Sequence, residues 1–447
     1  EQRDVIALER VFPFEAELEG VAVPVPEGTQ VRDDDDERER LHDDDEDYDL
    51  DFYSDAFRAK CKEHVIEDIR TIIHDVRNRR GYKAAYKLKE ILCRYYNQLA
   101  ESKFDIGCVK GIEYEVPLID GARPIRSRPY NASPPHQKII DETVDALLKC
   151  GFIERYHGPW ASPVLMIQNG DGTWRMCTDY SRRNKITKTI AYPCPDINDA
   201  LMDFRGKKVF SKFDLCKAFH NIKVRRDHRE RTAFVTKHGA YVWNVMPFGG
   251  KNCPATWAMG SDIIFERAKD LVKYVDDLAL ASVDDDEHLE AIDGFFERCV
   301  DSNLKVKISK CEFFKSQVTF VGHLISHNAI TAKRSYINKV IRLKRPTSKS
   351  EIPSYTGMVG WLSKYVFKLK EALYPIAKLK KKNVKFVWGP EQEKAHLLIK
   401  QIIDNAAPLS MPDWNETFYL WTDASAHAYG GVLMQYDKEK DYMVPIE

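Results

Sequence analysis

The chain has 447 residues, 43% of them apolar, with 68 Lys and Arg against 69 Asp and Glu for a net charge of −1; that length suggests about three domains, and that apolar share is enough for a sizeable core. The near-neutral total hides a segregation: Val31 to Asp55 holds 14 acids and 3 bases, net −11, which leaves +10 on the remainder, so an acidic segment joins a basic body of the kind that suits a polyanion. The 10 cysteines include no Cys-x-x-Cys, which argues against a structural zinc site and a secreted disulfide scaffold. No apolar run reaches the roughly 18 residues of a membrane helix, and no signal-peptide pattern opens the chain, so the expected setting is intracellular, cytoplasm or nucleus, with no membrane partner. The chain begins at Glu1 and not Met, which reads as a fragment or a piece of a longer polyprotein.

Residues 1–60 are expected to be an acidic, largely disordered segment. Val21 to Pro26 alternates Val with Ala or Pro as an extended linker, and the runs Asp33–Asp36 and Asp43–Asp47 repel themselves. A solvated tail is the plain reading, and an acidic decoy for a nucleic-acid groove the sharper one. Residues 61–105 read as a helical hairpin: Val65, Ile66, Ile69, Ile72, Ile73 and Val76 recur at helical spacing, Gly81 interrupts, and Leu88, Ile91, Leu92, Tyr95, Tyr96 and Leu99 resume. Its bases (Arg77, Arg79, Arg80, Lys83, Lys87, Lys89) read as a solvent face. Ser133 and Pro134 open another helix, Ser as cap and Pro at its first position, and Gly151 ends it. Mixed strands and helices follow to about Ser326. Asp284-Asp285-Asp286 reads as a helix start favoured by the first-turn dipole, with a rival metal site as the alternative. Residues 346–405 are helix-rich and basic.

The chemistry lies in two apolar runs. Lys273-Tyr274-Val275-Asp276-Asp277-Leu278-Ala279-Leu280-Ala281 keeps two adjacent carboxylates among apolar residues, where they are costly unless a cation is held. Oxygen ligands suit a hard ion such as Mg²⁺, and Asp favours the bend of a hairpin. Val209-Phe210-Ser211-Lys212-Phe213-Asp214 is a second strand-like run whose end supplies a third carboxylate. Three carboxylates from two strand ends suit two divalent ions and an in-line phosphoryl displacement. Between the runs, Gly249-Gly250 permits close backbone approach to a ligand, and Pro254 suits a first helical turn.

These blocks, in this order, resemble the palm of a reverse transcriptase, and their wording is similar to the gypsy-like long-terminal-repeat retrotransposons. His157-Gly158-Pro159-Trp160-Ala161-Ser162-Pro163-Val164 and Asp171-Gly172-Thr173-Trp174-Arg175-Met176-Cys177-Thr178-Asp179-Tyr180 resemble its fingers. Lys310-Cys311-Glu312-Phe313 and Thr319-Phe320-Val321-Gly322-His323-Leu324-Ile325-Ser326 resemble its last palm blocks. The resemblance runs from about Glu113 to the C-terminus. It implies an α+β right-hand polymerase: fingers and palm over 106–326, thumb and connection over 327–385, and a truncated RNase H-like segment over 386–447. The implied activity is RNA-directed DNA synthesis with two Mg²⁺, or Mn²⁺ in their place. The implied partners are an RNA template, a DNA or RNA primer and deoxynucleoside triphosphates, with integrase and other products of the same polyprotein outside this chain.

Carried over residue by residue, the resemblance gives Asp214, Asp276 and Asp277 as catalytic metal ligands, with the Leu215 carbonyl as an extra one. Arg175, Phe219, Phe248 and Gly249 would bind the incoming nucleotide, Arg175 by clamping its triphosphate and Phe219 by blocking a 2′-hydroxyl. Phe320, Gly322 and His323 would seat the primer end, and Lys310 would donate a proton to pyrophosphate. Asp423, at the end of a central strand, would be the first carboxylate of an RNase H-like site whose others lie beyond Glu447, so no RNA cleavage is expected. Two departures stand out: Gln168-Asn169-Gly170-Asp171-Gly172 lacks the lysine usual before the Asp-Gly turn, and Val275 replaces the usual Leu. The rival reading is an inactive retroelement relic that binds nucleic acid without polymerising.

Overall fold

The computed structural model describes residues 53–168, 172, 174–193, 196–266, 268–366, 368–404, 409–424, 429–437 and 441–446. The Val21–Pro26 linker, the acidic runs through Asp47 and the turn residues Asn169, Gly170, Asp171 and Thr173 lie outside them.

Four antiparallel strands form the central sheet, in the order Glu312–Lys315, Val209–Phe213, Asp277–Ser282, Leu271–Tyr274. Side chains alternate across a strand, and here both faces are covered. Val209, Phe213, Leu278 and Leu280 enter one core, and Phe210, Val272, Ala279 and Ala281 enter another. This double burial is why 278–281 reads as an unbroken apolar run.

The first core holds helix Asp285–Asp301, whose Phe295 stacks on Phe213 at 4.0 Å, and also the N-terminal helical hairpin. Helix Glu63–Arg80 buries Val65, Ile66, Ile69, Ile73 and Val76; helix Tyr82–Arg94 buries Leu88, Ile91 and Leu92; Gly81, at φ +85°, turns between them. The second helix stops before Tyr95, short of its expected end. The chain is drawn off there into backbone pairing with the central domain, Val306 N–H donating to the Gln98 carbonyl at 2.7 Å and Ala100 N–H to the Val306 carbonyl at 2.8 Å. The hairpin's basic face is largely exposed, as expected, and also meets acids and carbonyls of the central domain. Arg79 donates to the Phe313 carbonyl at 3.1 Å, Arg80 pairs with Asp285 at 3.7 Å, and Lys83 and Lys87 reach Asp286 at 3.4 and 3.1 Å. Exposed pairs of this kind add little stability. Burial of the apolar stripe, about 1.5–3 kcal/mol for each large side chain, holds the hairpin down.

A five-stranded sheet runs Ile153–Arg155, Gly239–Trp243, Phe234–Thr236, Ser162–Gln168, Trp174–Thr178, with one parallel pairing, Ser162 beside Phe234. Helix Pro134–Lys149 lies against it and ends before Gly151, at φ +71°. Ser133 occupies the cap position, but its side chain makes no capping hydrogen bond. The second core joins strands Gln317–Phe320, His323–Ser326, Ala329–Ala332 and Leu409–Ser410 to helices Arg334–Ile341, Ile352–Gly360, Leu369–Ala377 and Pro390–Asp404.

Strands Tyr419–Ala424, Tyr429–Asp437 and Tyr442–Pro445 form a separate antiparallel sheet with Tyr429–Asp437 in the middle. Asp423 was expected on a central strand; among the described residues its strand is an edge, bonded on one side alone. No described helix is long and apolar enough to cross a membrane.

Candidate active site

Two strand ends meet at one end of the central sheet. Val209–Phe213 leads into Asp214, and the hairpin of Leu271–Tyr274 and Asp277–Ser282 carries Asp276 in its turn and Asp277 at the start of its second strand. Leu278 sits directly across from Phe213, so Asp277 and Asp214 follow as neighbours on adjoining strands. Beyond Asp214 the backbone is pinned. Lys307 N–H donates to the Asp214 carbonyl at 2.8 Å, Cys216 N–H donates to the Lys305 carbonyl at 2.8 Å, and Leu215 bridges to Val306.

The hairpin turn is only two residues long, Tyr274 pairing with Asp277. Val275 takes φ +51°, a left-handed conformation that costs a β-branched residue on the order of 1–3 kcal/mol. The buried Trp257, on helix Cys253–Ile264, donates its indole N–H to the Val275 carbonyl at 2.7 Å and holds the turn. Asp276 keeps contact with water but lies recessed among protein atoms. Burial pushes its pKa up first, and the negative charges of Asp277 and Asp214 push it further. Ionised Asp276 is therefore repelled by its neighbours, and a bound dication is what relieves such repulsion.

The three carboxylates are not equivalent. One oxygen of Asp277 pairs with Lys212 Nζ at 2.9 Å, and the other accepts the Val321 N–H at 3.1 Å. Among the described residues no three His, Cys, Asp or Glu side chains already converge as an ion cage. Asp277, though paired with Lys212 and Val321, stays beside Asp214 and Asp276, close enough for its charge to act on Asp276. Lys310 Nζ lies 3.6 Å from Asp214 Oδ2. Asp284 takes no part, because it caps helix Asp285–Asp301 by accepting the Glu287 N–H at 2.8 Å, while Glu287 reaches back to the Val283 N–H at 3.0 Å.

Phe219 is 9% exposed and packs on Phe248, its ring centre 5.3 Å away; Phe248 is 37% exposed and presents the open face of the pair. Gly249 adopts φ +86°, and its carbonyl accepts from Asn184 Nδ2 at 2.9 Å. Gly250 is closed in by protein, since a Cβ there would lie 2.1 Å from the Tyr114 hydroxyl and 2.7 Å from Cys253 Sγ, while Gly249 is exposed. Arg175 is exposed on strand Trp174–Thr178, opposite Ile167.

The primer-seating residues also need correction. Phe320 is fully buried against Phe204, 5.1 Å between rings, so its ring is not available to pack on a sugar or base. His323 is 1% exposed, stacks on Trp361 at 5.0 Å, bonds the Tyr365 hydroxyl, and is pulled by burial to a pKa of about 4. Both hold the hairpin from beneath, and its tip is Val321–Gly322, at φ +46° and +83°. Lys212 and Trp257 were missed. A lysine inside the apolar run 209–213 was the available signal for the first; nothing in the local pattern marked the second.

Residues 167–325 match the family model described as reverse transcriptase (RNA-dependent DNA polymerase). The chain carries a reverse transcriptase domain. Residues 388–447 match the model of the RNase H-like domain found in reverse transcriptase. The Transposon Tf2-3 polyprotein of Schizosaccharomyces pombe is 33% identical over 339 residues, 75% of this chain and 25% of the relative, and the Tf2-7 polyprotein is 32% identical over the same length. The reverse transcriptase is thus of the long-terminal-repeat retrotransposon kind, and the chain spans about a quarter of the length of these curated relatives.

Among solved structures, a foamy viral protease-reverse transcriptase in complex with double-stranded DNA matches at a TM-score of 0.76 and 21% identity, covering 87% of this chain and 68% of that one. The foamy viral protein in complex with an RNA/DNA hybrid matches at 0.73 and 20%, covering 85% and 51%. These likenesses give the right-hand polymerase fold. Membership of the reverse transcriptase family implies use of a divalent metal.

Proposed function

We propose that this reverse transcriptase chain extends a primer on an RNA template by adding deoxynucleotides. The observation that carries the reading is the junction of Asp214, at the end of its strand, with the Asp276 turn of the adjoining hairpin, the Asp276 pKa being raised by burial and then by its neighbours' charge. Asp214, Asp276 and Asp277 would hold two Mg²⁺. Such ions, when bound, make the primer 3′-hydroxyl a better nucleophile and steady the departing pyrophosphate. The 3′-oxygen attacks the α-phosphorus, and the bond to pyrophosphate breaks.

The chain's own residues do the rest. Arg175 offers a planar guanidinium to the triphosphate. Lys310, beside Asp214, is the candidate donor of a proton to pyrophosphate. Phe219, wedged behind Phe248, forms the wall against a 2′-hydroxyl. Phe219→Val should raise ribonucleotide over deoxynucleotide incorporation, and an unchanged ratio would leave Phe219 as core packing alone. The nucleic-acid complexes of the foamy viral proteins support a template–primer duplex as partner.

The deciding experiment is extension of a labelled DNA primer on an RNA template with Mg²⁺ or Mn²⁺. Stepwise extension is expected. Duplex binding without incorporation under both ions would refute the polymerase reading in favour of the relic.

A further inference from the structure

The stretch 98–109, which follows the N-terminal hairpin, lies along the turn that carries Asp214 and Phe219, and the two touch at successive residues. The Cys216 thiol faces the Ser102 carbonyl at 3.6 Å. Lys217 Nζ sits 5.3 Å from the centre of the Phe104 ring, within reach of its π face. Gly107 N–H donates to Asn221 Oδ1 at 2.7 Å, and Val109 N–H donates to the Asn221 carbonyl at 2.8 Å. Val306 is a rung shared by both sides, bridging Leu99 along one edge and Leu215 along the other. Gly107 leaves no slack, because a Cβ there would lie 1.5 Å from the Asn303 carbonyl oxygen.

Asn221 is where these ties converge. It is 1% exposed. Its side-chain nitrogen donates to the carbonyls of Cys216, Lys217 and Ala218 at 2.9, 3.1 and 3.2 Å, while its side-chain oxygen accepts from Gly107. Gathering these carbonyls holds a tight bend, with Lys217 at φ +45°. Buried carbonyls left without a donor are costly, so the bend depends on that amide.

We infer that 98–109 is a strap that fixes the Asp214–Asn221 turn, and that Asn221 is the positioning residue through which it acts. The turn carries Asp214 at its start and Phe219 near its end, so one tie sets the place of a metal-binding carboxylate and the height of the wall against a 2′-hydroxyl together. This rests on the roles proposed for Asp214 and Phe219. A misplacement of about 1 Å loses much of the benefit of orientation, so a loosened strap slows extension and blurs sugar selection at once.

The test uses the full chain with Asn221→Ala, Asn221→Gln and Gly107→Ala, each below its melting transition. Asn221→Ala removes the tie from the side of the turn. It should lower single-nucleotide extension about tenfold and raise ribonucleotide over deoxynucleotide incorporation by about threefold or more. Gly107→Ala breaks the same tie from the side of the strap and should move both readouts in the same direction. Asn221→Gln keeps an amide on a longer arm and should recover most of what Asn221→Ala loses. Amide hydrogen exchange needs no variant to fold: in the unsubstituted chain, Gly107 and Val109 should exchange as slowly as the strand Val209–Phe213.

Exchange at Gly107 and Val109 about 100-fold faster than in that strand would overturn the strap. So would an Asn221→Ala protein that melts lower yet keeps the extension rate and sugar ratio of the unsubstituted chain, since Asn221 would then hold the fold and nothing more. A sugar ratio unmoved in Phe219→Val as well as in Asn221→Ala, with extension still slowed in Asn221→Ala and Gly107→Ala, would refute the wall reading of Phe219 and leave the strap standing.

Discussion

Two runs of aspartates lie eight residues apart in this chain and have opposite fates. Asp284, Asp285 and Asp286 are consumed by structure: Asp284 caps a helix, Asp285 meets Arg80, and Asp286 meets Lys83 and Lys87. Asp276 faces its own like-charged neighbours, Asp277 and Asp214. Acid-rich spelling is the same in both, and the difference lies in what the fold brings opposite. A helix N-terminus and three bases leave no work for a cation; a strand end facing other carboxylates does.

The largest effect expected from this contrast is on catalysis. Asp276→Asn should cut primer extension by more than about 100-fold, beyond what loss of an outer partner of a metal ligand costs, while melting temperature and duplex binding stay near wild type. Retained extension would place the reaction elsewhere.

A smaller effect probes the scaffold shared by both acid groups. His288 is buried beneath the palm sheet, its ring nitrogens 2.7 Å from Ser211 Oγ and 2.9 Å from Ser282 Oγ. Burial first, and then the Arg80 charge, pull its pKa down to about 3. The unfolded chain would take up this proton near pH 6.5 and the folded chain would not. The stabilisation is therefore complete above about pH 7 and is lost as pH falls from there toward 3. By pH 5.5 the loss is roughly 1 kcal/mol from this residue. Denaturant melts between pH 8 and 5 would measure it, and His288→Gln should flatten that part of the slope.

Asp284→Ala should destabilise by about 1 kcal/mol through loss of the helix cap, seen by chemical denaturation, with extension unaltered at a temperature where the fold is intact. Asp286→Asn should do least, leaving extension and melting temperature within error because its partners are exposed. A loss of extension in either variant would break the contrast, since it would give the second acid run a part in the chemistry.

The local features were legible from the sequence. The apolar run 278–281 reads as a buried strand, the 3.6-residue rhythm of 65–76 as a helix, and Gly81 as the break after it. The strand-end position of Asp214 and Asp276 was also legible, because carboxylates in apolar surroundings demand a reason. What escaped was set by distant partners. Asp277 accepts the amide of Val321, 44 residues on, and the basic face of the first hairpin finds Asp286 about 200 residues away. No local spacing encodes such a meeting. Phe320 failed as a primer contact for the same reason, since its fate was decided by Phe204, in the turn after helix Ile197–Met202.

The shared core of the N-terminal hairpin and the palm has a practical consequence for anyone who shortens this protein. Ile66, Ile69, Ile73, Leu88 and Leu92 pack in the same apolar mass as Phe295, Phe296 and Phe313. A polypeptide started at residue 106 would keep every catalytic aspartate yet carry a bare greasy flank. A naked surface of that kind attracts other chains. Such a fragment should precipitate or cling to chaperones during expression, whereas one started near residue 53 should stay dispersed.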